Sequence, residues 1–393
     1  MKNKIDHRKR ILLVFPGLRV NNDEGSKHRL NSFIDSYTDL GFRVTVLAFA
    51  KDFLSFRPRY LNKKSKWIVL PCILPISKAR ILTDFLISYY KLLLAIISYV
   101  YKFDIIQMEM YGIRSSIANR KCKYIVDFHG DSYNEFVESG SADSKHWFAE
   151  FLLDLESKSI AEADYAICVT ENLKLQLEKN TNMKIKHYSL ISCGVDLRRF
   201  NVSPIKRTSI MEELTEDRIV IGYCGGLQQW QNIDKILDVT IALHQMEPRI
   251  FFVLYTNSDI RSIQTRLTQL GRHNCFVKAL HTDEVPSYLK IMDAGFLLRD
   301  DLILNRVSSP TKISEYLAAG AGLICTPYSG DYKELTVEGE NCFVLRDYDN
   351  DEYVHLLSWL KKFRTERKDL SFLADYTFYN QCKRFCESFF GKQ

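Results

Sequence analysis

The residues best suited to chemistry lie in the run Ser308-Ser309-Pro310-Thr311-Lys312-Ile313-Ser314-Glu315-Tyr316-Leu317-Ala318-Ala319-Gly320. A Ser-Pro-Thr opening and a closing glycine mark a short helix, and the apolar residues after it mark a buried strand through Thr326. The first turn of such a helix has N–H groups without intrahelical partners. With Lys312 one turn in, Ser308, Ser309, Pro310 and Thr311 therefore frame a natural seat for a phosphate. Glu315, one turn beyond Thr311, is placed to accept two hydrogen bonds from vicinal hydroxyls such as those of a ribose. A plain capped helix with solvated Lys312 and Glu315 accounts for the spacing equally well.

Three other loops carry weaker signals. In Tyr223-Cys224-Gly225-Gly226-Leu227-Gln228-Gln229-Trp230-Gln231 the paired glycines let a backbone approach a phosphate, although a tight turn needs no more than that. In Val126-Asp127-Phe128-His129-Gly130-Asp131 a histidine ends a strand, where it either binds a sugar hydroxyl or packs structurally. Pro16-Gly17-Leu18-Arg19, continuing to Lys27-His28-Arg29, links a strand to a helix, and Gly17 is the donor-side candidate there. The adjacent acids Asp300-Asp301 lack the partners that a metal site requires, so no metal is expected.

These loops follow strands in a regular alternation. Short β-branched and aromatic runs at 11–15, 44–49, 67–70, 105–108, 124–128, 165–169 and 188–192 are separated by helical stretches, including 27–40 and a long apolar one at 81–101. A polar stretch at 201–217 interrupts the pattern, and a second series has strands at 219–223, 250–255, 275–278, 294–298, 322–326 and 342–345. The alternation predicts two doubly wound α/β domains with parallel sheets, in which ligands bind beyond the carboxyl ends of the strands. The expected division is 1–205 for an acceptor-binding domain and 206–370 for a nucleotide-binding one. Residues 371–393 are read as a helix that returns to the first domain.

At 393 residues the chain suits two cores. Ten cysteines without a CxxC pair read as buried thiols in a reducing compartment, and Cys382 and Cys386 as packed neighbours on a helix. The polar, basic start runs into a strand without a secretory signal, so a cytoplasmic location is expected. Residues 1–102 hold 19 Lys and Arg against 7 Asp and Glu, whereas the whole chain is only +6. That asymmetry suits an anionic surface, and without a nucleic-acid module the expected surface is lipid rather than nucleic acid. The stretch 81–100 is as long as a membrane span but contains Asp84 and Lys91. Packing within the first domain, or contact with an anionic leaflet beside Lys63, Lys64, Lys66, Lys78 and Arg80, are the two readings left.

The run from Ser309-Pro310 through Lys312, Glu315-Tyr316-Leu317-Ala318 and Gly320, with Gly330, Glu334 and Glu338-Gly339-Glu340-Asn341 behind it, resembles the donor-site segment of family 4 glycosyltransferases with the GT-B fold. Members that assemble bacterial surface polysaccharide, such as capsule or O-antigen, are the most similar. The resemblance implies two Rossmann-like domains facing across a cleft and a retaining, metal-independent transferase without a cofactor. Its donor would be a nucleoside diphosphate sugar of the UDP-sugar type and its acceptor a glycan or lipid-linked molecule, with the enzyme peripheral on the inner face of the membrane. It also implies that Glu315 contacts the ribose, that Lys312 and the loop at Gly225 and Gly226 hold the diphosphate, and that His129 meets the transferred sugar. Base contacts are assigned to 278–285.

Two departures from that family pattern stand out. Where the family carries an Arg and a Lys on the second loop, this chain has Gly226 and Gln231, leaving Arg306 as the expected helper of Lys312. Where the family has an earlier glutamate eight residues before Glu315, this chain has Val307, so Asn305, Ser308 or Asp301 would take the sugar hydroxyls. A non-catalytic scaffolding subunit of the same fold and a sugar-nucleotide epimerase are the competing functions.

Overall fold

The computed structural model describes residues 9–21, 25–72, 79–109, 114–117, 119, 121–138, 146–212, 214–366 and 371–390. The chain divides into two compact units, one of residues 1–193 and 378–393, the other of residues 194–377.

The first unit has strands β1 (Arg10–Leu18), β2 (Arg43–Ala50), β3 (Lys66–Pro71), β4 (Ile105–Glu109), β5 (Lys123–Phe128), β6 (Tyr165–Cys168) and β7 (Tyr188–Leu190). They form one sheet in the order β3-β2-β1-β4-β5-β6-β7, with every pair parallel. Its helices are α1 (Gly25–Asp39), α2 (Arg80–Tyr101), α3 (Ser132–Glu138), α4 (Trp147–Glu162) and α5 (Glu171–Thr181). Central strands such as β1 and β5 are apolar along almost their whole length because helices cover both faces of the sheet.

The second unit repeats the plan. Strands β8 (Ile219–Cys224), β9 (Ile250–Tyr255), β10 (Cys275–Lys278), β11 (Ala294–Leu297), β12 (Gly322–Cys325) and β13 (Cys342–Val344) form a parallel sheet in the order β10-β9-β8-β11-β12-β13. Helices α6 (Ile233–Met246), α7 (Gln264–Leu270), α8 (Val285–Leu289), α9 (Ile303–Arg306), α10 (Thr311–Ala318) and α11 (Asn350–Thr365) connect them. In each sheet the strand order reverses once, between β1 and β4 and between β8 and β11, and such a reversal opens a crevice at the carboxyl edge where ligands bind.

The observed boundaries differ from the expected ones at both crossings. Val195 and Phe200 bury themselves in the core of the second unit, so that unit begins at Gly194 rather than at residue 206. The closing segment is split. Leu373 joins the second core and Thr377 bridges to Val195, while helix α12 (Phe378–Phe390) packs on α1 of the first unit. Phe378 meets Phe33 edge-on at 4.8 Å, and Cys382, Phe385 and Cys386 lie buried in the same cluster. Gln381 Oε1 accepts hydrogen bonds from the Ser192 amide (2.8 Å) and hydroxyl (3.1 Å), securing the helix to the end of the first sheet. All ten cysteines are free thiols. Lys78 and the start of the chain before Lys9 lie outside the described residues.

Candidate functional site

In the second unit, two glycines set how closely α10 approaches the sheet. A Cβ on Gly295 would lie 2.5 Å from the Tyr316 ring, so only a bare backbone on β11 lets that ring settle against it. The Tyr316 hydroxyl then accepts a hydrogen bond from the Cys224 amide at 3.1 Å, tying α10 to the carboxyl end of β8. Gly225 has φ +148° and faces Lys312, whose Cε would stand 2.6 Å from a Cβ there. No L side chain suits either requirement. The far end of α10 closes with Gly320 N–H on Leu317 C=O and Ala321 N–H on Tyr316 C=O, the double bond of a Schellman ending, with Gly320 left-handed at φ +81°.

The Lys312 ammonium therefore lies between Gly225 and the Tyr223 ring, 5.4 Å from that ring's centroid. Burial, aided by the charge of Arg299 and opposed by Cys224 and Glu315, brings its pKa down to about 8. Arg299 follows β11 and is itself only 8% exposed. Thr326 grips its backbone, Oγ1 accepting from Arg299 N–H (3.0 Å) and donating to Arg299 C=O (2.7 Å), and one guanidinium nitrogen donates to Trp230 C=O. The Nε of Arg299 has no hydrogen-bond partner, and burial lowers the pKa of the group. Among the described residues neither Lys312 nor Arg299 forms an ion pair. Arg299 is buried and Lys312 half-buried, and with Glu315 the one carboxylate that acts on Lys312, the two cations leave an excess of positive charge that favours an anion.

Glu315 sits one turn along α10, with its carboxyl pKa raised by burial and pulled back by Lys312 and Arg199. Ser308 and Ser309 are tied locally, Ser308 Oγ to Asn305 C=O (2.8 Å) and Ser309 Oγ to Asp331 (2.8 Å). Burial pushes the Asp331 carboxyl up to about 7. Asp331 was not singled out in the sequence, because it belongs to the loop after β12. Pro310 precedes the helix without a side-chain cap, and Thr311 is exposed at its first position. Gly226 lies against the Gln228 side chain.

Several expected neighbours are committed elsewhere. Arg306 pairs with Asp301 and stacks on Tyr328 at 5.4 Å. Asp300 pairs with Lys235. Asn305 is buried with its amide on Asp300 C=O (3.0 Å), and Val307 is 5% exposed. Lys278, in the stretch assigned to the base, pairs with Glu284 at 3.7 Å. No group of three or more His, Cys, Asp and Glu side chains among the described residues could hold a metal ion.

In the first unit, His129 follows β5 with its side chain 37% exposed, and its Nε2 is 3.8 Å from Glu109 Oε1 at the end of β4. Burial pushes the Glu109 carboxyl up to about 7, against the pull of His129. Beneath them Arg29 donates to both carboxylate oxygens of Asp127 (2.8 and 2.6 Å) and to Ile191 C=O (3.0 Å). Burial alone would lower the Arg29 pKa, but the Asp127 charge and hydrogen bonds prevail and raise it. A bidentate buried pair of this kind holds the end of β5, and so the histidine that follows, in one place. Gly17, with φ +79°, ends the β1 side of the same sheet edge beside Lys51.

Residues 25–199, most of the first unit, match the model of Glycosyltransferase Family 4. The whole chain has the GT-B fold of two Rossmann-like domains. It is similar to HepE from Anabaena, crystallised with UDP (14% identity, TM-score 0.63, covering 97% of this chain and 95% of that one). A glycosyltransferase from Rickettsia africae is similar at 15% identity and TM-score 0.67, over 97% and 98% of the two chains. The lipopolysaccharide outer core galactosyltransferase WaaB is similar at 13% identity and TM-score 0.65, over 98% and 100%. No curated protein matches the sequence. Arg299 is a second cation beside Lys312, in a site whose loop has Gly226 and Gln231 in place of basic residues. Its position directly after a strand at the sheet's reversal point was the signal in the sequence that could have found it.

Proposed function

We propose that the chain is a retaining glycosyltransferase that takes a sugar from a UDP-sugar and passes it to a glycan or lipid-linked acceptor in bacterial surface polysaccharide synthesis. The observation that carries this reading is the pair of cations beside the first turn of α10, Arg299 buried and Lys312 half-buried, neither of which forms an ion pair among the described residues. The UDP bound by HepE, a protein of the same fold, supports the choice of nucleotide. Ten free thiols are in keeping with a cytoplasmic enzyme.

In this mechanism the acceptor oxygen forms its bond to the anomeric carbon on the face from which the diphosphate departs. The bond from that carbon to the phosphate oxygen breaks, and the same phosphate oxygen takes the acceptor's proton. Lys312, Arg299 and the α10 N–H groups stabilise the charge that develops on the diphosphate, which is fixed positive charge set where the transition state needs it. Glu315 accepts hydrogen bonds from the ribose. The His129–Glu109 pair supplies a donor and an acceptor for a sugar hydroxyl.

The two cations carry the leaving charge, so turnover is expected to survive a chelator. Assays of transfer and of donor hydrolysis with Lys312→Ala and Glu315→Ala test the assignment. Unchanged turnover in both variants would refute it. Nucleotide binding without turnover across a panel of acceptors would instead favour the scaffolding subunit.

A further inference from the structure

Helix α2 is unlike every other described helix in what it leaves outside. It is 22 residues long, and among the described residues it is the one helix long and apolar enough to cross a membrane. Only one face is used by the fold. Thr83, Leu86, Tyr90, Leu94 and Ile97 are buried, with Tyr90 against Phe49 of β2 at 4.2 Å. The opposite face is apolar and open: Ile81 is 83% exposed, Phe85 66%, Leu92 61%, Ile96 51% and Tyr99 75%. Spacings of three, four and seven residues place these five side chains in one stripe along the helix. A soluble surface scatters its exposed apolar residues singly, so a continuous stripe of this length marks a docking surface.

The charges around the stripe indicate what docks. Arg80 and Lys91 fall along its edge on the helix, with Asp84 the sole acid of α2, and Lys102 ends the helix. On the neighbouring edge strand β3, Trp67 and Val69 join the core under α1 and α12, so alternation turns Lys66, with Ile68 and Leu70, toward the α2 side. Among the described residues Lys66, Arg80 and Lys91 form no ion pair. This basic rim lies within the segment that carries a net +12 in a chain of +6.

We infer that the outer stripe of α2 seats the first unit on an anionic lipid bilayer, with the helix lying in the headgroup region. An apolar face flanked by Lys and Arg is the pattern of an interfacial helix. Spanning is excluded by topology. The helix is the crossover from β3 to β4, whose strands pair with β2 and β1 of one sheet, so its two ends cannot lie on opposite sides of a bilayer while that sheet stands.

The inference is independent of the sugar-transfer reading, because binding is measured without donor or acceptor. The full chain is expected to co-sediment with phosphatidylglycerol–phosphatidylcholine vesicles, and far less with phosphatidylcholine alone or at high salt. Phe85→Ser/Leu92→Ser/Ile96→Ser is expected to weaken that binding by at least about tenfold. Lys66→Glu/Lys91→Glu is expected to weaken it by about fivefold per charge on the anionic vesicles only. Unchanged melting temperature and UDP titration would show that the stripe variant is folded; should it not fold, single Leu92→Gln serves. A wild-type chain that ignores anionic vesicles, or a folded stripe variant that binds like wild type, would overturn the inference. So would a self-associated chain that the stripe variant makes monomeric, since the stripe would then belong to a second copy.

Discussion

The two sheets reverse strand order at equivalent places, and at each reversal the fold buries an arginine, yet the two arginines live in opposite circumstances. In the first unit Arg29 is gripped by both oxygens of Asp127, so the two buried charges compensate each other. In the second unit Arg299 is equally buried, but its neighbours are Lys312, Tyr223, Tyr316 and backbone carbonyls, with no carboxylate in reach. The first arrangement stabilises the fold by mutual compensation. The second leaves charge uncompensated, which a native fold tolerates where a ligand completes it. Identical topology thus yields a scaffold at one edge and a receptor for anions at the other.

Breaking the closed pair is expected to have the largest effect. Asp127→Ala leaves Arg29 buried without its partner, and stability should fall by about 3–5 kcal/mol in chemical denaturation. Arg29→Met/Asp127→Leu should recover most of that loss, because both charges leave together. At the open site Lys312→Ala should weaken UDP binding by about 2 kcal/mol or more in calorimetric titration, the cost of losing one partner from a desolvated charge contact.

Arg299→Met sharpens the comparison most. It should stabilise the empty chain by about 1 kcal/mol, since an uncompensated buried charge is removed, and yet weaken UDP binding about tenfold. A structural arginine like Arg29 would lose stability on the same change. Titration with pH is expected to follow Lys312. Its pKa lies at about 8 in the empty site, so the ammonium holds its charge below that value and UDP affinity should fall as pH rises through it. Lys312→Arg should move that limb to higher pH.

A separate pH dependence of stability is expected at Glu109. Its carboxyl is raised from 4.5 to about 7 in the fold, so the folded chain binds that proton more tightly than the unfolded one. The associated stability is fully present below about 4.5 and is lost as pH climbs to about 7. Glu109→Gln should flatten that decline in thermal unfolding profiles.

The alternation of buried strands and helices was legible because parallel strands covered on both faces must be apolar along their length. Lys312 and Glu315 were legible because both lie on one short helix whose start and stop are written in Pro310 and Gly320. Arg299 was not. In sequence it is followed directly by Asp300 and Asp301, which look like its partners; folding gives Asp300 to Lys235 and Asp301 to Arg306. That redistribution also removes Arg306 from the role the sequence suggested for it. Glu109 was missed for a related reason. Its raised pKa comes from burial at the end of β4 beside a histidine brought by the next strand, and neither is visible in local spacing. The boundary at Gly194 depends on which core receives Val195, Phe200 and Leu373, a question of tertiary packing that the polar stretch at 201–217 obscured.

A crystal structure of the chain with UDP tests the central claim most directly. The account predicts the diphosphate at the first turn of α10, with its oxygens about 2.7–2.9 Å from Lys312 Nζ and from a guanidinium nitrogen of Arg299. A diphosphate bound elsewhere, with both cations left as they are in the empty chain, would contradict it.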